Sequence, residues 1–404
     1  MIFLVMLLLT ISLVGALRKS IFAPHIVFSI IWALLLLTFL LNQQYFFPVS
    51  TKASLLIFTG CACFIFGSIV MTRRIKNNSR TLSLSQDIRS GYYTVFALLT
   101  IAALISTAIE NVGYLAMGMD FNEILIKKAG EEETSRGFFL TVISMFIAVP
   151  FIYVSVPVLG LELCRKKKRW WIIVLSVVIE VLYVLQSARR SMLIYIMPAL
   201  FYIIISNRQF LLSKKEKRRM MFFFIVLSVI IIVGISWLSF QRGTSFQETG
   251  KEYIAGCFPS FSERIEKCDT WYWGAGTLHG LLVPIIIGRN FFVHSYPEWW
   301  LKLDYLVEAP DSIQIGPNAY VNAFNTMFYI PYLDYGFIGI ILISFIVGVI
   351  YGGAYRKVVI RPSSRNRAVF SVLLIGVVGS LYTLYFTQSP YILSFFYLYF
   401  LFRK

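Results

Sequence analysis

Long apolar runs alternate with short polar junctions along most of the chain. A helix of about 20 apolar residues crosses a bilayer core of about 30 Å, and many of these runs have that length. The pattern predicts an all-α polytopic membrane protein with about 11 transmembrane helices. The predicted spans are residues 1–17, 25–46, 53–71, 91–110, 137–161, 170–186, 191–206, 220–238, 326–355, 368–386 and 391–402.

The composition agrees with this pattern. Of the 404 residues, 58% are hydrophobic and 14% are charged, whereas an ordinary soluble domain has about 25% charged residues. The net charge of +17 would suggest a nucleic-acid partner in a soluble protein. Here most Lys and Arg fall in every second junction, such as 165–169 and 214–219, and most acids fall in the others. Because positive junctions are cytoplasmic, the carboxyl terminus is expected inside and the amino terminus outside, with no nucleic-acid partner.

The predicted spans divide the chain into three parts. These are residues 1–238 with transmembrane helices one to eight, residues 239–325 as a large periplasmic loop, and residues 326–404 with helices nine to eleven. Within the loop, the run 280–288 is too short to span a bilayer. The stretch 297–312 (PEWWLKLDYLVEAPDS) predicts a short interfacial helix with Trp299 and Trp300 at the headgroup level.

Several arginines lie on the outward side beside apolar runs, where the positive-inside rule gives no reason for them. They are Arg189, Arg190, Arg242 and Arg289. One interpretation is a set of solvated or snorkelling side chains. The other is an anion site, because the planar guanidinium binds phosphate oxygens through two hydrogen bonds. A diphosphate joined to a lipid would lie at that depth, so these residues are candidate diphosphate ligands.

Acidic and histidine side chains supply further candidates. Glu180 lies in the middle of a predicted span, where it is either functional or hydrogen-bonded to a neighbouring helix. Asp304 and Glu308 share a helix face and are either a base or sugar-binding pair or simply solvated. His279 and His294 lie on the outward side, and histidine can act as a base near neutral pH.

Cofactor motifs are not indicated by the sequence. It contains no Walker or Rossmann glycine pattern and no outward DxD-type pair for a metal-bound sugar nucleotide. The five cysteines lack zinc-ligand spacing, so neither a cofactor nor a metal is expected. Cys257 and Cys268 share the outer loop and predict a disulfide in an oxidising compartment, with two free thiols as the alternative.

The segment 316–353 carries an Asn–x–Tyr pair, a following acidic residue and a Gly–x–x–Gly pattern that enters a span. In these features it resembles the O-antigen polymerase (Wzy-type) family, which is related to the O-antigen ligases. The positions are Asn318, Tyr320, Asp334, Gly336 and Gly339. The junction 187–205, with Arg189 and Arg190, is also similar to the family's earlier Ser/Arg junction. Pro317 stands where the ligases usually carry a histidine, which favours a polymerase.

The resemblance implies a GT-C-like, metal-independent membrane glycosyltransferase. It would polymerise undecaprenyl-diphosphate-linked oligosaccharide repeat units into O-antigen, or a related surface polysaccharide, at the periplasmic face of a bacterial inner membrane. Undecaprenyl diphosphate would be the leaving group. His279 and Asp334 are then the catalytic candidates, and Asn318 and Tyr320 would bind sugar. The expected partners are the lipid-linked oligosaccharide, the bilayer, a chain-length regulator and other polysaccharide-assembly proteins.

Two alternatives stay open from the sequence. A flippase for the same lipid-linked oligosaccharide would also be polytopic and would also carry outward arginines. Carriers usually bind their cargo at the bilayer midplane on broken helices and often have paired halves, and this chain shows neither clearly. An O-antigen ligase would attach the finished chain instead of extending it. The long outer loop favours an enzyme over a carrier.

Overall fold

The computed structural model describes residues 4, 7–11, 22–73, 88–119, 142–165, 167–187, 191–208, 254–268, 270–308, 312–321 and 325–402. Over these residues the chain is mostly α-helical, and six helices are long and apolar enough to cross a bilayer. They are Pro24–Leu41, Thr51–Thr72, Ser90–Ala116, Ser144–Leu163, Thr326–Ile360 and Ser364–Leu381. The protein is therefore a helical membrane protein, as the sequence predicts.

Of the five other predicted spans, three are described as helices and two lie largely or wholly outside the described residues. Those at 170–186, 191–206 and 391–402 are apolar helices that are shorter or less apolar than the six above. Those at 1–17 and 220–238 lie largely or wholly outside the described residues.

The described elements are labelled in chain order. The helices are α1 (Pro24–Leu41), α2 (Thr51–Thr72), α3 (Ser90–Ala116), α4 (Val149–Leu163), α5 (Trp170–Ser187), α6 (Ser191–Arg208), α7 (Cys257–Glu266), α8 (His279–Val293), α9 (Glu298–Glu308), α10 (Thr326–Ile360), α11 (Ser364–Val378) and α12 (Ser389–Leu401), and the strands are β1 (Ile313–Gly316) and β2 (Ala319–Val321). They belong to two compact units. The first is Met1–Ser85 with Gly250–Ile392, and the second is Gln86–Thr249 with Leu393–Lys404.

In the first unit, α10 packs along α2 through glycines. Gly348 and Gly352 are four residues apart and therefore lie on one face of α10. A Cβ on Gly352 would lie 2.6 Å from the carbonyl oxygen of Ser68, and one on Gly348 would collide with the carbonyl oxygen of Phe64. Small residues let helix backbones approach closely in a bilayer, where association depends on packing. This glycine pair therefore sets the distance between α10 and α2.

Trp32 of α1 connects α1 to α7 and α10 within the same unit. Its buried ring contacts Phe258 of α7, with ring centroids 6.0 Å apart, and Phe328 of α10, at 5.0 Å. Its indole N–H donates to the Ser380 hydroxyl at 3.0 Å. Close aromatic packing and this hydrogen bond therefore hold α7 against α1 and α10.

Helix α10 is interrupted at Tyr335 and Gly336. Gly336 has φ 58° and ψ −137°, a conformation that only glycine adopts without strain. A Cβ on Gly339 would collide with the carbonyl oxygen of Pro331. The Gly–x–x–Gly pattern therefore marks the point at which residues 326–334 turn into the long apolar part of α10.

A two-stranded antiparallel sheet corrects the purely all-α expectation. Strands β1 and β2 pair Ile313 with Val321 and Gln314 with Tyr320. The backbone N–H of Phe47 donates to the carbonyl of Ile315 at 2.7 Å, so the segment before α2 also contacts the sheet. The helical expectation is met in the membrane helices, and the hairpin lies between α9 and α10.

In the second unit, polar side chains of neighbouring apolar helices bond one another. Ser155 of α4 donates a hydrogen bond to Glu180 of α5. The hydroxyls of Tyr93 and Ser176 lie 2.5 Å apart. Such bonds remove most of the cost of placing polar groups in an apolar medium. Glu180 thus makes the inter-helix hydrogen bond that the sequence offers as its structural alternative.

The basic junction after α4 also contributes to a buried ion pair. Glu162 is buried and bonds Arg165 at 3.1 Å and Arg169 at a shorter distance. Removing one partner of a buried ion pair leaves an uncompensated charge. Arg165 and Arg169 therefore stabilise this helix end.

The disulfide predicted between Cys257 and Cys268 is wrong, because both are free thiols. Cys257 begins α7 and Cys268 follows its end, so the helix keeps them more than about 13 Å apart, and a disulfide requires Cα atoms within about 7 Å.

We expect Cys268 to be alkylated in the folded protein without reductant. Cys257 should react only after denaturation, since burial raises the pKa of its thiol. Mass spectrometry that finds a linked peptide pair would contradict this.

Candidate functional site

A hydrogen-bonded histidine and aspartate form the centre of the candidate site. His279, at the first position of α8, is 3% exposed. Its Nε2 lies 2.8 Å from Oδ1 of Asp304 on α9, and its Nδ1 lies 3.0 Å from the carbonyl oxygen of Thr387. Both partners are hydrogen-bond acceptors. The two contacts therefore hold the ring from both nitrogens, with Nε2 directed at the Asp304 carboxylate.

Asp304 is the member of the pair that reaches solvent. Its side chain is 43% exposed, whereas both ring nitrogens of His279 are occupied by hydrogen bonds. Trp300 stacks on the histidine ring with centroids 4.7 Å apart and planes 1° from parallel. Trp300 therefore fixes the ring and is itself buried, while Trp299 is exposed. The predicted position of the two tryptophans at the headgroup level stays a prediction.

Asp334, predicted to be catalytic, is fully buried at the break in α10. Its Oδ1 accepts from the backbone N–H of Gly276 at 2.9 Å, and its Oδ2 accepts from the N–H and hydroxyl of Thr277 at 2.6 Å and 2.5 Å. The turn that it holds leads directly into His279. In this geometry Asp334 positions the start of α8.

The predicted sugar-binding residues lie on the hairpin. Asn318 is exposed in the turn after β1, and Tyr320 is exposed on β2. Among the predicted diphosphate ligands, Arg289 is exposed and donates to the Ser295 carbonyl at 2.9 Å, beyond the end of α8. The other three predicted ligands, Arg189, Arg190 and Arg242, lie outside the described residues.

A cavity of about 370 Å³ lies between α7, α9, the start of β1 and the first part of α10. Its described lining is mainly polar and carries two cations. The lining residues are Arg264, Lys267, Cys268, Thr270, Tyr272, Leu306, Ser312, Ile313, Tyr329 and Leu333. Arg289 is not among them, so the structure offers cations that the sequence did not single out.

Arg264 and Lys267 were not predicted as site residues because, in the sequence, they resemble the exposed charges of a solvated helix. The position of Arg264 could have distinguished it, since it lies between Phe261 and Ile265 on the apolar face of α7. An arginine on an apolar face is buried, and a buried cation needs a partner or a ligand. That pattern separates Arg264 from the neighbouring Glu263 and Glu266.

Comparison with known proteins adds no assignment to this geometry. No family model, no curated protein and no solved structure matches the chain.

Proposed function

We propose that the protein is a membrane glycosyltransferase that polymerises undecaprenyl-diphosphate-linked oligosaccharide repeat units at the periplasmic face of a bacterial inner membrane. The observation that carries this proposal is the His279–Asp304 pair, which presents a half-exposed carboxylate on a folded segment between membrane helices. The resemblance of residues 316–353 to the O-antigen polymerase family supports it. A polar cavity of about 370 Å³ shares α9 with the pair and offers space for part of the substrate.

The proposed reaction uses Asp304 as the general base. A sugar hydroxyl of the incoming lipid-linked unit attacks the anomeric carbon of the growing chain, and Asp304 accepts the hydroxyl proton. As the new C–O bond forms, the bond between that carbon and the diphosphate oxygen breaks, and its electron pair leaves with undecaprenyl diphosphate. His279 orients the carboxylate through its Nε2–H. Because the leaving group is already an activated diphosphate, the proposed step includes no nucleotide and no metal.

Glu180 supports a second candidate, a flippase for the same lipid-linked oligosaccharide. Ser155 bonds Oε1 of Glu180, and Oε2 has no hydrogen-bond partner among the described residues. A carboxylate within a transmembrane helix often marks a transport pathway. An O-antigen ligase is the third possibility, since it would use the same lipid-linked donor.

Deletion of the gene distinguishes these functions through the polysaccharide ladder on a gel. We expect lipid A core that carries a single repeat unit, because the first unit is still flipped and attached but is not extended. Expression of the intact chain should restore the ladder. Lipid A core without any repeat unit would reject the polymerase and leave the flippase or the ligase.

A further inference from the structure

We propose that an aromatic cluster, formed by Trp271, Trp273 and Tyr335, binds a sugar ring of an oligosaccharide by stacking. The cluster lies outside the hairpin with the predicted sugar ligands and outside the pair of His279 and Asp304. That the bound sugar belongs to a lipid-linked repeat unit rests on the proposed function. The stacking itself rests on the position and exposure of the three rings.

The two tryptophans of the aromatic cluster are exposed and yet held in place. Trp271 is 55% exposed and Trp273 is 72% exposed. Their ring centroids lie 6.0 Å apart with planes at 65°, and the rings of Trp273 and Tyr335 lie 6.2 Å apart at 79°. Aromatic pairs favour such edge-to-face contacts. The rings are therefore fixed in one arrangement while much of their surface stays open to a ligand.

The backbone of Trp273 is strained, and its own packing offsets little of that strain. Its φ is 51°, in the left-handed region that glycine adopts most easily and that bulky residues rarely adopt. Because the side chain is mostly exposed, its burial contributes little to stability. Strained residues of this kind occur mainly at functional sites. The fold alone would favour a glycine here, so the presence of a large ring indicates a binding role.

The aromatic cluster is anchored at the break in α10. The backbone N–H of Trp273 donates to the carbonyl of Asp334 at 3.2 Å, directly before Tyr335. A Cβ on Gly274 would lie 2.7 Å from the hydroxyl oxygen of Tyr335, so the glycine lets that side chain lie against the turn that carries the tryptophans. The two segments that form the cluster therefore support each other.

The aromatic cluster is continuous with the proposed active site. Asp334, whose carbonyl accepts from the cluster, also bonds the turn that leads into His279. Tyr272, between the two tryptophans, lines the cavity of about 370 Å³ together with Leu306, which lies two residues after Asp304 on α9. A sugar on the cluster would thus be held by the same turn and beside the same cavity as the proposed base.

A pyranose ring is chemically suited to such a surface. One face of many pyranoses presents C–H groups, which are apolar and carry a slight positive charge. An aromatic face carries negative charge and attracts them, and stacking removes apolar surface from water. Tryptophans also lie at the headgroup level of membranes. That role requires neither a strained backbone nor rings fixed by their neighbours, so the observations favour a sugar over a headgroup.

Residue-specific oxidation tests for sugar binding without any turnover. Full-length protein in detergent receives a short pulse of hydroxyl radicals, and mass spectrometry measures the oxidation of Trp271 and Trp273. The probe is a short soluble fragment of the host strain's surface polysaccharide, without lipid or diphosphate. Sorbitol at equal weight concentration, which scavenges radicals but has no ring, is its control. We expect the fragment to protect both tryptophans and to leave the exposed Trp170 of α5 unchanged. Equal oxidation with the fragment and with sorbitol would overturn the proposal.

The variant Trp273→Gly separates binding from folding. Glycine adopts a φ of 51° without strain, so the thermal midpoint should stay the same or rise. The fragment concentration that half-protects Trp271 should rise by about ten- to a hundredfold, the usual effect of losing one large apolar side chain from a contact. Trp170→Ala, which removes an exposed tryptophan of α5, is the matched control and should leave that concentration unchanged. Half-protection of Trp271 at an unchanged concentration in Trp273→Gly would overturn the role of Trp273, whatever the midpoint.

Lipid vesicles distinguish a sugar from a headgroup as the occupant of the aromatic cluster. In vesicles of phosphatidylethanolamine and phosphatidylglycerol, Trp271 and Trp273 should still be oxidised, and the fragment should still protect them. Tryptophans that resist oxidation in vesicles without the fragment would assign the cluster to the headgroup region and overturn the proposal.

The binding assay also separates this proposal from the proposed function, because it includes no catalysis. Absent protection would reject the sugar subsite and leave the polymerase proposal as it stands. Protection by the fragment, in a protein whose gene deletion leaves the polysaccharide ladder intact, would support the sugar subsite and reject the polymerase alone.

Discussion

Replacement of Asp304 by asparagine should lower polysaccharide polymerisation by about 10²–10⁴-fold, the usual contribution of a general base. Asparagine keeps the size of the side chain but does not act as a base. Residue 304 is partly exposed, so the protein should tolerate the substitution. The measurement is ladder intensity in the deletion strain, with a blot for protein amount. We expect a normal amount of protein, a nearly absent ladder and an accumulation of lipid A core that carries a single repeat unit.

Two further variants decide whether this loss is specific to the pair. His279→Gln should lose less activity than Asp304→Asn, because the amide keeps one N–H donor for the carboxylate. Glu298→Gln removes an exposed carboxylate from the first turn of the same helix and should leave the ladder intact. A full ladder from Asp304→Asn would show that another group accepts the proton.

The membrane helices could be predicted because the bilayer makes the sequence signal simple. Backbone polar groups in hydrocarbon must bond within a helix, so a run of about 20 apolar residues has essentially one structure. The helix ends were less predictable. Helix α3 continues to Ala116, beyond the predicted end at residue 110, because helical hydrogen bonds extend through polar residues once the apolar run has ended.

The contacts of the site depend on tertiary packing that no local pattern records. His279 and Asp304 are 25 residues apart and meet only because α8 and α9 fold back on each other. The hairpin was missed although Pro317 and Asn318 form a turn signal between two short alternating stretches. Gly336 was named from the sequence only as a position of the Gly–x–x–Gly pattern, and its positive φ shows that the local backbone requires a glycine there.

The hydrogen bonds of Asp334 indicate that it positions the turn before α8 and does not take part in the chemistry itself. Its carboxylate accepts three hydrogen bonds from Gly276 and Thr277, and the side chain is fully buried. Removing the acceptor leaves three donors without a partner, and each buried unsatisfied group costs about 1–3 kcal/mol. All three donors lie in the turn that leads into α8. Loss of their hydrogen bonds would therefore disorder this turn and displace His279.

Asp334→Ala should therefore lower the free energy of unfolding by about 3 kcal/mol or more, with a clear fall in the thermal midpoint of detergent-solubilised protein. Asp334→Asn keeps one acceptor oxygen but turns an amide group toward a backbone donor, so a smaller fall is expected. In both variants, ladder formation should decline in proportion to the loss of stability, because the residue acts through the turn and His279. Tryptophan fluorescence on heating and the ladder assay measure the two effects on the same samples. An Asp334→Asn protein with an unchanged midpoint and no ladder would assign Asp334 to the chemistry, as the sequence predicts, and would move the general base away from Asp304.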